Sequence, residues 1–452
     1  MSVAACNIDV PDLNNPGLGD LKNNPNANVD NTAATGMLIT SRLDIAGEAG
    51  FIDLVGILGR EAYNFDAADG RYVTEIIEGT LNKSDAYGGA FWLNEYRTVQ
   101  LGNIILAGLD QVNDFSTDPT ETANDKAAMK GFVETIQALG FLLLVNTHYD
   151  TGAPVEIPTD PNKLAPFVSK DQVFAKIAQL LDDANTLLAP LAAMPDPWPF
   201  TFPLSPGYDG FDDTAGFQKF NRALRARVAV YTKDYPTAVS LLSGTDTFIE
   251  DSATADFANG VYHSYSLTAN DATNGLVNKN IWAHPSLRAD AQKKANGDLD
   301  DRFTKKVVAR AAGGSSNGLS SSDQFTIYGP TSFVSIIRNE DLILLKAEAL
   351  AETGDLAAAT TTLNHVRVGS GGLEPIAQPA TLDAFITALL YEREYSMMME
   401  GHRWIDLRRL TGKLPLDRPT DMANLRFPVP QVECDARGNE PACSLVPTAP
   451  LQ

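Results

Sequence analysis

Three pairs of neighbouring segments combine helical apolar spacing with small residues where two helices must pack closely. They cover residues 345–359, 226–238 and, more loosely, 131–149. Such pairs resemble tetratricopeptide units, which bury a continuous apolar face by stacking on one another. Because the period is irregular, we expect a scaffold derived from repeats and not a regular array.

Apolar spacing along the rest of the chain completes the prediction of a mostly α fold with few short strands. Residues 245–335 are rich in Gly, Ser, Asn and Asp, and predict a loop-rich variable region with the flexible loop 313–322. Leu425–Pro430 is predicted to be extended. Nine helices are predicted, with Ser169 as the cap of the fourth, at residues 34–60, 92–112, 125–148, 171–188, 217–232, 236–242, 340–353, 356–367 and 382–410.

Net charge excludes one class of partner. Lys and Arg number 35 and Asp and Glu number 57, so the 452-residue chain carries a formal charge of −22. A surface this acidic repels phosphate backbones, and we therefore expect no nucleic-acid binding. No uninterrupted apolar run reaches the roughly 18 residues that a membrane-spanning helix needs.

The three cysteines suggest export. Cys434 and Cys443 flank the turn-forming pair Gly438-Asn439, so a disulfide between them is predicted, and disulfides persist in oxidising compartments. The alternative is two free thiols in a cytosolic protein. Cys6 closes the run Val3-Ala-Ala-Cys6, which is similar to a bacterial lipobox, where the cysteine is acylated. The polar, Pro-broken residues after it predict an extended tether.

One segment carries a family resemblance. The run Tyr391-Glu-Arg-Glu-Tyr-Ser-Met-Met-Met-Glu-Gly-His-Arg-Trp-Ile-Asp-Leu-Arg-Arg409 resembles the late helix of the SusD/RagB family of surface lipoproteins. Segments 337–349 and 363–367 are also similar to that family, and the resemblance is loose over 245–335. Glu394, Ser396 and Met397 depart from the usual pattern. The matching positions are Glu392, Arg393, Glu400, Gly401, Arg403, Trp404, Asp406, Leu407 and Arg409.

The resemblance implies a function and a location. Members of this family are lipoproteins of the bacterial outer membrane that lie over a TonB-dependent, SusC-like barrel transporter and capture glycans or peptides at the cell surface. Cys6 would carry the lipid anchor here. The resemblance implies no catalysis and no cofactor.

The same resemblance suggests how the chain is divided. Residues 1–35 would form the anchored tether, and residues 36–452 one SusD-like α domain. Within that domain, 336–410 would be the most family-like part and 425–452 a terminal loop segment.

The charged residues of segment 391–409 are interpreted as structural. Glu392 and Glu400 stand eight residues apart, about 12 Å along a helix, which is too far for a glycosidase pair. The spacing of Glu400, Arg403, Asp406 and Arg409 instead allows ion pairs within one helix, and Trp404 is expected in the core. No pair among the five histidines has metal-ligand spacing, so no metal site is predicted.

Aromatic residues in loops are the candidate ligand contacts. Sugar rings stack their C–H faces on aromatic planes, while carboxylates bind hydroxyls. Trp198 and Tyr208 lie in a Pro-rich loop, Asp69 and Tyr72 follow a second aromatic group, and Trp282 belongs to a third. The alternative is that these rings only fix loops to the core, since large aromatic side chains are mostly buried.

Two other functions remain open from the sequence. One is a secreted polysaccharide hydrolase that uses acidic residues of loops 63–72 or 296–302. The other is a helical-repeat scaffold that binds only protein. Neither predicts the lipid anchor that the family resemblance implies.

Overall fold

The computed structural model describes residues 21, 23–160, 163–269, 271–438 and 440–448. Over these residues the chain is mostly helical, as predicted, with eight short strands. The helices are α1 Ala27–Thr40, α2 Phe51–Leu58, α3 Arg71–Thr74, α4 Leu93–Leu109, α5 Pro119–His148, α6 Lys170–Ala192, α7 Thr214–Tyr231, α8 Tyr235–Ser243, α9 Pro285–Ala289, α10 Asp301–Lys306, α11 Asn339–Glu352, α12 Leu356–Gly369, α13 Leu382–Ser396, α14 Arg403–Leu410 and α15 Gln431–Arg437.

The strands form three small antiparallel sheets. The largest has the order β1-β5-β7-β6, and the other two pair β2 with β3 and β4 with β8. The strands are β1 Ala62–Asn64, β2 Ala153–Pro154, β3 Phe167–Val168, β4 Gly260–His263, β5 Ile281–Ala283, β6 Val307–Ser316, β7 Leu319–Phe325 and β8 Val334–Arg338.

Two of the three predicted helix pairs form, since α7 packs against α8 and α11 against α12. The third predicted pair, 131–149, is wrong, because residues 131–148 belong to the single helix α5, which packs against α6. At Gly131 on α5 a Cβ atom would lie 2.7 Å from Leu188 Cγ on α6, so the close approach of the two helices requires glycine. α6 begins with a capping box in which the side chains of Ser169 and Gln172 each bond the other's backbone.

Helix α5 is long and apolar enough to cross a membrane by length and composition alone. However, 83% of its most apolar 18-residue window is buried inside the protein. That burial is typical of the central helix of a globular core.

Two of the predicted helices are each divided in two. The segment 34–60 contains α1 and α2 with a turn between them, where Gly50 packs on Gly47 backbone and Ala49 has φ 58°. α1 also begins at Ala27, capped by Asn26, where an extended segment was expected. The prediction that residues 1–35 form an extended tether is therefore wrong for residues 27–35. Cys6 lies outside the described residues.

Helix 382–410 is interrupted at 397–402. Met399 has φ 58° and Gly401 has φ 81°, which ends α13 and lets the chain turn before α14. A Cβ atom on Gly401 would lie 2.4 Å from the Phe51 ring. The three methionines at 397–399 are buried, so the turn itself is part of the core.

The loop predicted at 313–322 is a β-hairpin. β6 and β7 pair in antiparallel register and connect through Asn317 and Gly318, with φ of 48° and 79°. Positive φ at both turn residues is the geometry that Asn-Gly favours in two-residue hairpins. The glycines and serines on either side concealed that signal.

The charged residues of segment 391–409, which carries the family resemblance, form a buried ionic network that joins several helices. Arg393 donates to Asp341 at 2.9 Å and to Asp406 at 2.6 Å, and all three side chains are at most 2% exposed. Arg409 pairs with Asp406 at 3.0 Å within α14 and with Glu348 on α11. The arginine charges hold the pKa of both aspartates below the usual range against the effect of burial.

The other charged motif residues pair across elements and not within one helix. Glu400 bonds Arg338 at 2.9 Å. Arg403 bonds Glu394, a departure from the family pattern, at 2.6 Å. Of the expected ion pairs within one helix, only Asp406–Arg409 forms, because the turn at 397–402 removes Glu400 from the helix. Glu392 pairs with Arg302 and Arg367, and Trp404 is fully buried.

The C-terminal segment is more ordered than expected. It contains α15, and Cys434 in the middle of that helix is disulfide-bonded to Cys443, with the two Cα atoms 5.7 Å apart. The bond holds α15 against the turn at 441–444.

Candidate functional site

Trp282 lies at the centre of the four-stranded sheet. On β5, Ile281 and Ala283 point into the core, and Trp282 between them points to the opposite face and is half-buried. Tyr63 of β1 and Gln324 of β7 are its partners on either side. Side chains directly opposite in neighbouring strands share a face, so these three residues form one surface.

Glycine on β6 completes this surface. The Tyr63 ring stacks on Phe65 with centroids 5.1 Å apart. A Cβ atom on Gly314 would lie 2.5 Å from Trp282 Nε1 and 2.9 Å from Phe65 Cδ2. Strand β6 therefore crosses the edge of the indole with no side chain between them. We call Phe65, Trp282 and Gly314 the Trp282 face.

A charged pair flanks the aromatic residues. Asp69 accepts hydrogen bonds from Arg71 Nη2 at 2.6 Å and from Tyr87 Oη at 2.9 Å. The hydrogen bonds from Arg71 lower the pKa of Asp69 to about 2, so the carboxylate is ionised at neutral pH. Arg71 is 56% exposed. The pair thus offers solvent both a hydrogen-bond acceptor and a donor.

The carboxyl groups of Glu48 and Asp66 lie near the Asp69 carboxylate. Glu48 accepts a hydrogen bond from Asn278 Nδ2 at 3.0 Å. Burial, together with a hydrogen bond to the Asp66 carboxyl, raises the pKa of Glu48. The region around Trp282 is therefore rich in hydrogen-bonding oxygens.

Of the five predicted ligand contacts, Trp282 lies on β5, and Asp69 and Tyr72 lie in the segment that follows the neighbouring strand β1. Tyr72 is only 3% exposed and packs against Tyr87 with ring centroids 5.2 Å apart. Tyr72 therefore supports the surface and does not present its ring to a ligand.

Trp198 and Tyr208 belong to another part of the molecule. Trp198 Nε1 donates to Asp125 on α5 at 2.8 Å, and its carbonyl accepts from Thr214 on α7. Tyr208 is 2% exposed and packs against Phe217 and Phe220. The prediction of Tyr208 as a ligand contact is corrected, because its ring fixes a loop to the core.

Several residues of this region were not predicted. Tyr87 reaches Asp69, and Gly314 reaches Trp282, only through the fold, whereas Arg71 stands two residues after Asp69 and pairs with it locally. The Asn-Gly turn at 317–318 was the one sequence signal for the hairpin that supplies Gly314.

The acidic loops proposed for a hydrolase are occupied by ion pairs. Asp301 bonds Lys294 and Asp300 bonds Arg302, each at 2.6 Å. An ionised, paired carboxylate is a poor general acid. Glu48 and Asp66 are hydrogen-bonded to each other, closer than the ~5 Å that a retaining glycosidase places between its carboxyl groups.

Comparison with known proteins identifies the fold family. Residues 261–427 match the model of the SusD family. A SusD superfamily protein of Bacteroides vulgatus is similar in structure, with TM-score 0.66 and 16% identity over 92% of this chain and 98% of that one. A SusD-like carbohydrate-binding protein of Bacteroides fragilis has TM-score 0.66 and 15% identity, covering 90% and 98% of the two chains.

A curated relative shares a shorter stretch. The SusD-like protein P38 of Formosa agariphila is 33% identical over 81 residues, which is 16% of either chain. The family match and the shared fold confirm the SusD/RagB resemblance found in the sequence.

Proposed function

We propose that the protein binds glycans at the Trp282 face and performs no catalytic step on them. The observation that carries this proposal is a half-buried indole held on the inner strand β5, with strand β6 crossing its edge at Gly314 and placing no side chain over it. The SusD-like carbohydrate-binding protein of Bacteroides fragilis, which has the same fold, supports it.

The arrangement suits a sugar for three physical reasons. The C–H face of a pyranose packs on the exposed part of the Trp282 ring. Asp69 accepts hydrogen bonds from hydroxyls, and Arg71 donates to hydroxyl or ring oxygens. Because the sheet and the hairpin fix these groups before ligand binds, little ordering entropy is lost. Peptides are the second ligand class, since the same groups bind amides.

Delivery to a transporter completes the proposal. We propose that the protein is a lipoprotein on the bacterial outer membrane, anchored through Cys6, that passes its ligand to a TonB-dependent SusC-like barrel. The match to the SusD family supports this. Since α1 runs across residue 35, we place the end of the tether before Ala27, and the folded domain after it.

Loss of the indole should abolish most of the glycan affinity. Trp282→Ala is expected to weaken binding at least tenfold, about 1.4 kcal/mol, because buried aromatic anchors dominate such sites. Native gels cast with a panel of polysaccharides measure this as loss of retardation. Trp198→Ala is the matched control and should retain it. Equal retardation of the Trp282 variant and the wild type, both folded, would refute the site.

Removing the thiol should release the protein from the membrane. The Cys6→Ala protein, expressed behind an added export signal in cells lacking the transporter, is expected in the soluble fraction. A single acyl chain binds only weakly, and stable anchoring needs more than one chain. Cys443→Ala is the control, since it removes a cysteine elsewhere. Recovery of the Cys6 variant with the outer membrane would contradict the anchor.

A further inference from the structure

A second concavity lies along helix α4. One face of that helix and residues 154–160 and 163–165 form its walls, and α15 closes one end. Its volume is about 580 Å³, within the roughly 300–1,000 Å³ of small-molecule sites. We call it the α4 groove. Its apolar lining is Trp92, Tyr96, Leu101, Ile104, Pro154 and Ile157.

The walls of the groove are fixed by side chains that bond backbone carbonyls. Tyr96 Oη donates to the Pro154 carbonyl at 2.9 Å, and Asn103 Nδ2 to the Ile157 carbonyl at 2.8 Å. Arg437 of α15 donates to the Ala165 carbonyl at 2.6 Å. The groove is therefore formed without a ligand, which lowers the entropic cost of filling it.

The rim exposes apolar side chains to water. Leu93 is 60% exposed and Leu164 is 52% exposed. Large apolar side chains at the edge of an apolar cleft are typical of a surface that is covered by a ligand. This argues for an occupant with a substantial hydrocarbon part.

Arg97 gives the groove a net positive charge in an otherwise acidic protein. Arg437 is paired with Glu433, and Lys163 with Asp160 at 4.0 Å. Arg97 is hydrogen-bonded to Asn94 at 2.9 Å, and forms no ion pair with any described residue. The carboxylate that it influences, Asp44, is already hydrogen-bonded to Asn94 at 2.8 Å. The chain as a whole carries −22, so this charge favours an anionic occupant.

We propose that the α4 groove binds a soluble apolar monocarboxylate of the fatty-acid type. The carboxylate meets Arg97, and the hydrocarbon chain lies on Trp92, Leu101 and Ile104. No residue of the Trp282 face takes part, so this site is independent of the glycan-binding proposal.

Titration with dodecanoate below its micelle concentration tests the site. Calorimetry should show saturable binding with one site per chain, and Trp fluorescence should change as the chain covers Trp92. Arg97→Gln is expected to weaken dodecanoate binding about tenfold, and Leu93→Asp by a similar factor. Arg225→Gln, which changes an arginine on α7, should leave it unchanged.

A neutral ligand separates charge recognition from apolar contact. Dodecanol should bind the wild type about tenfold more weakly than dodecanoate does, and Arg97→Gln should weaken it no further. Three results would overturn the proposal. They are absence of saturable dodecanoate binding, equal affinity of the Arg97 variant, and association only with vesicles of anionic lipid, which would indicate surface adsorption.

Discussion

Arg393→Met is expected to destabilise the protein by about 3–5 kcal/mol or to prevent folding, because it removes the one cation that two buried carboxylates share. Asp341 and Asp406 are 1% and 2% exposed and accept hydrogen bonds from that one guanidinium. Each also has another arginine partner, Arg227 and Arg409, but neither of these reaches both. Urea unfolding followed by circular dichroism measures the free energy of unfolding.

The control for this experiment is an arginine at the surface. Arg225→Met breaks a pair with Asp182, whose side chain is 49% exposed, and exposed pairs contribute about 0–1 kcal/mol. Similar losses in both variants would show that the buried network does not hold α11, α13 and α14 together.

Glu95→Gln is expected to flatten the dependence of stability on pH. Glu95 on α4 is buried, one of its oxygens has no hydrogen-bond partner among the described residues, and it borders a cavity of about 80 Å³. Burial, followed by the nearby charge of Asp44, raises its pKa to about 8. His263, His402, Arg227, Tyr231 and Glu400 face the same cavity.

The direction in which stability changes with pH follows from proton binding to Glu95. Between pH 4.5, the ordinary value for glutamate, and about 8, the folded protein keeps the proton on Glu95 and the unfolded chain releases it. Glu95 therefore costs stability as pH rises through this range, on the order of 4 kcal/mol in total. Glutamine stays neutral, so the stability of the variant relative to the wild type should increase as pH increases.

Urea midpoints from pH 5 to 8.5 measure this difference. Burial also raises the pKa of Asp53 and Glu61, so only the difference between wild type and variant isolates Glu95. Glu374→Gln, which changes an exposed glutamate, should follow the wild type. If the Glu95 variant does so as well, the carboxyl is ionised in the folded protein.

Sequence patterns predicted helices well where a local cap coincides with the apolar stripe. The Ser169 cap fixed the start of α6 to within one residue of the prediction. The interruption of 382–410 could not be predicted, because Met397, Met398 and Met399 are as apolar as a helix interior requires. Their turn depends on Phe51 against Gly401, a contact between residues 350 positions apart.

The candidate site was predictable only in its local parts. Trp282 and Asp69 stand in segments with recognisable aromatic and acidic composition. Gly314 looks like an ordinary loop glycine in the sequence, and its role depends on a strand pairing that the Ser-rich flanks conceal. The sequence around Tyr208 is similar in composition to that around an exposed aromatic residue. Only the packing of its ring against α7 places Tyr208 in the core.

Because the β6–β7 hairpin crosses Trp282, the residues that would select a ligand are separate from those that stabilise the helices. The hairpin is an edge element of its sheet, and its outer strand is exposed along most of its length. Insertions or exchanges between residues 310 and 322 would reshape the path to the indole without disturbing the ionic network that joins the helices. Ligand preference could thus change through exchange of one hairpin, while the helical scaffold stays as it is.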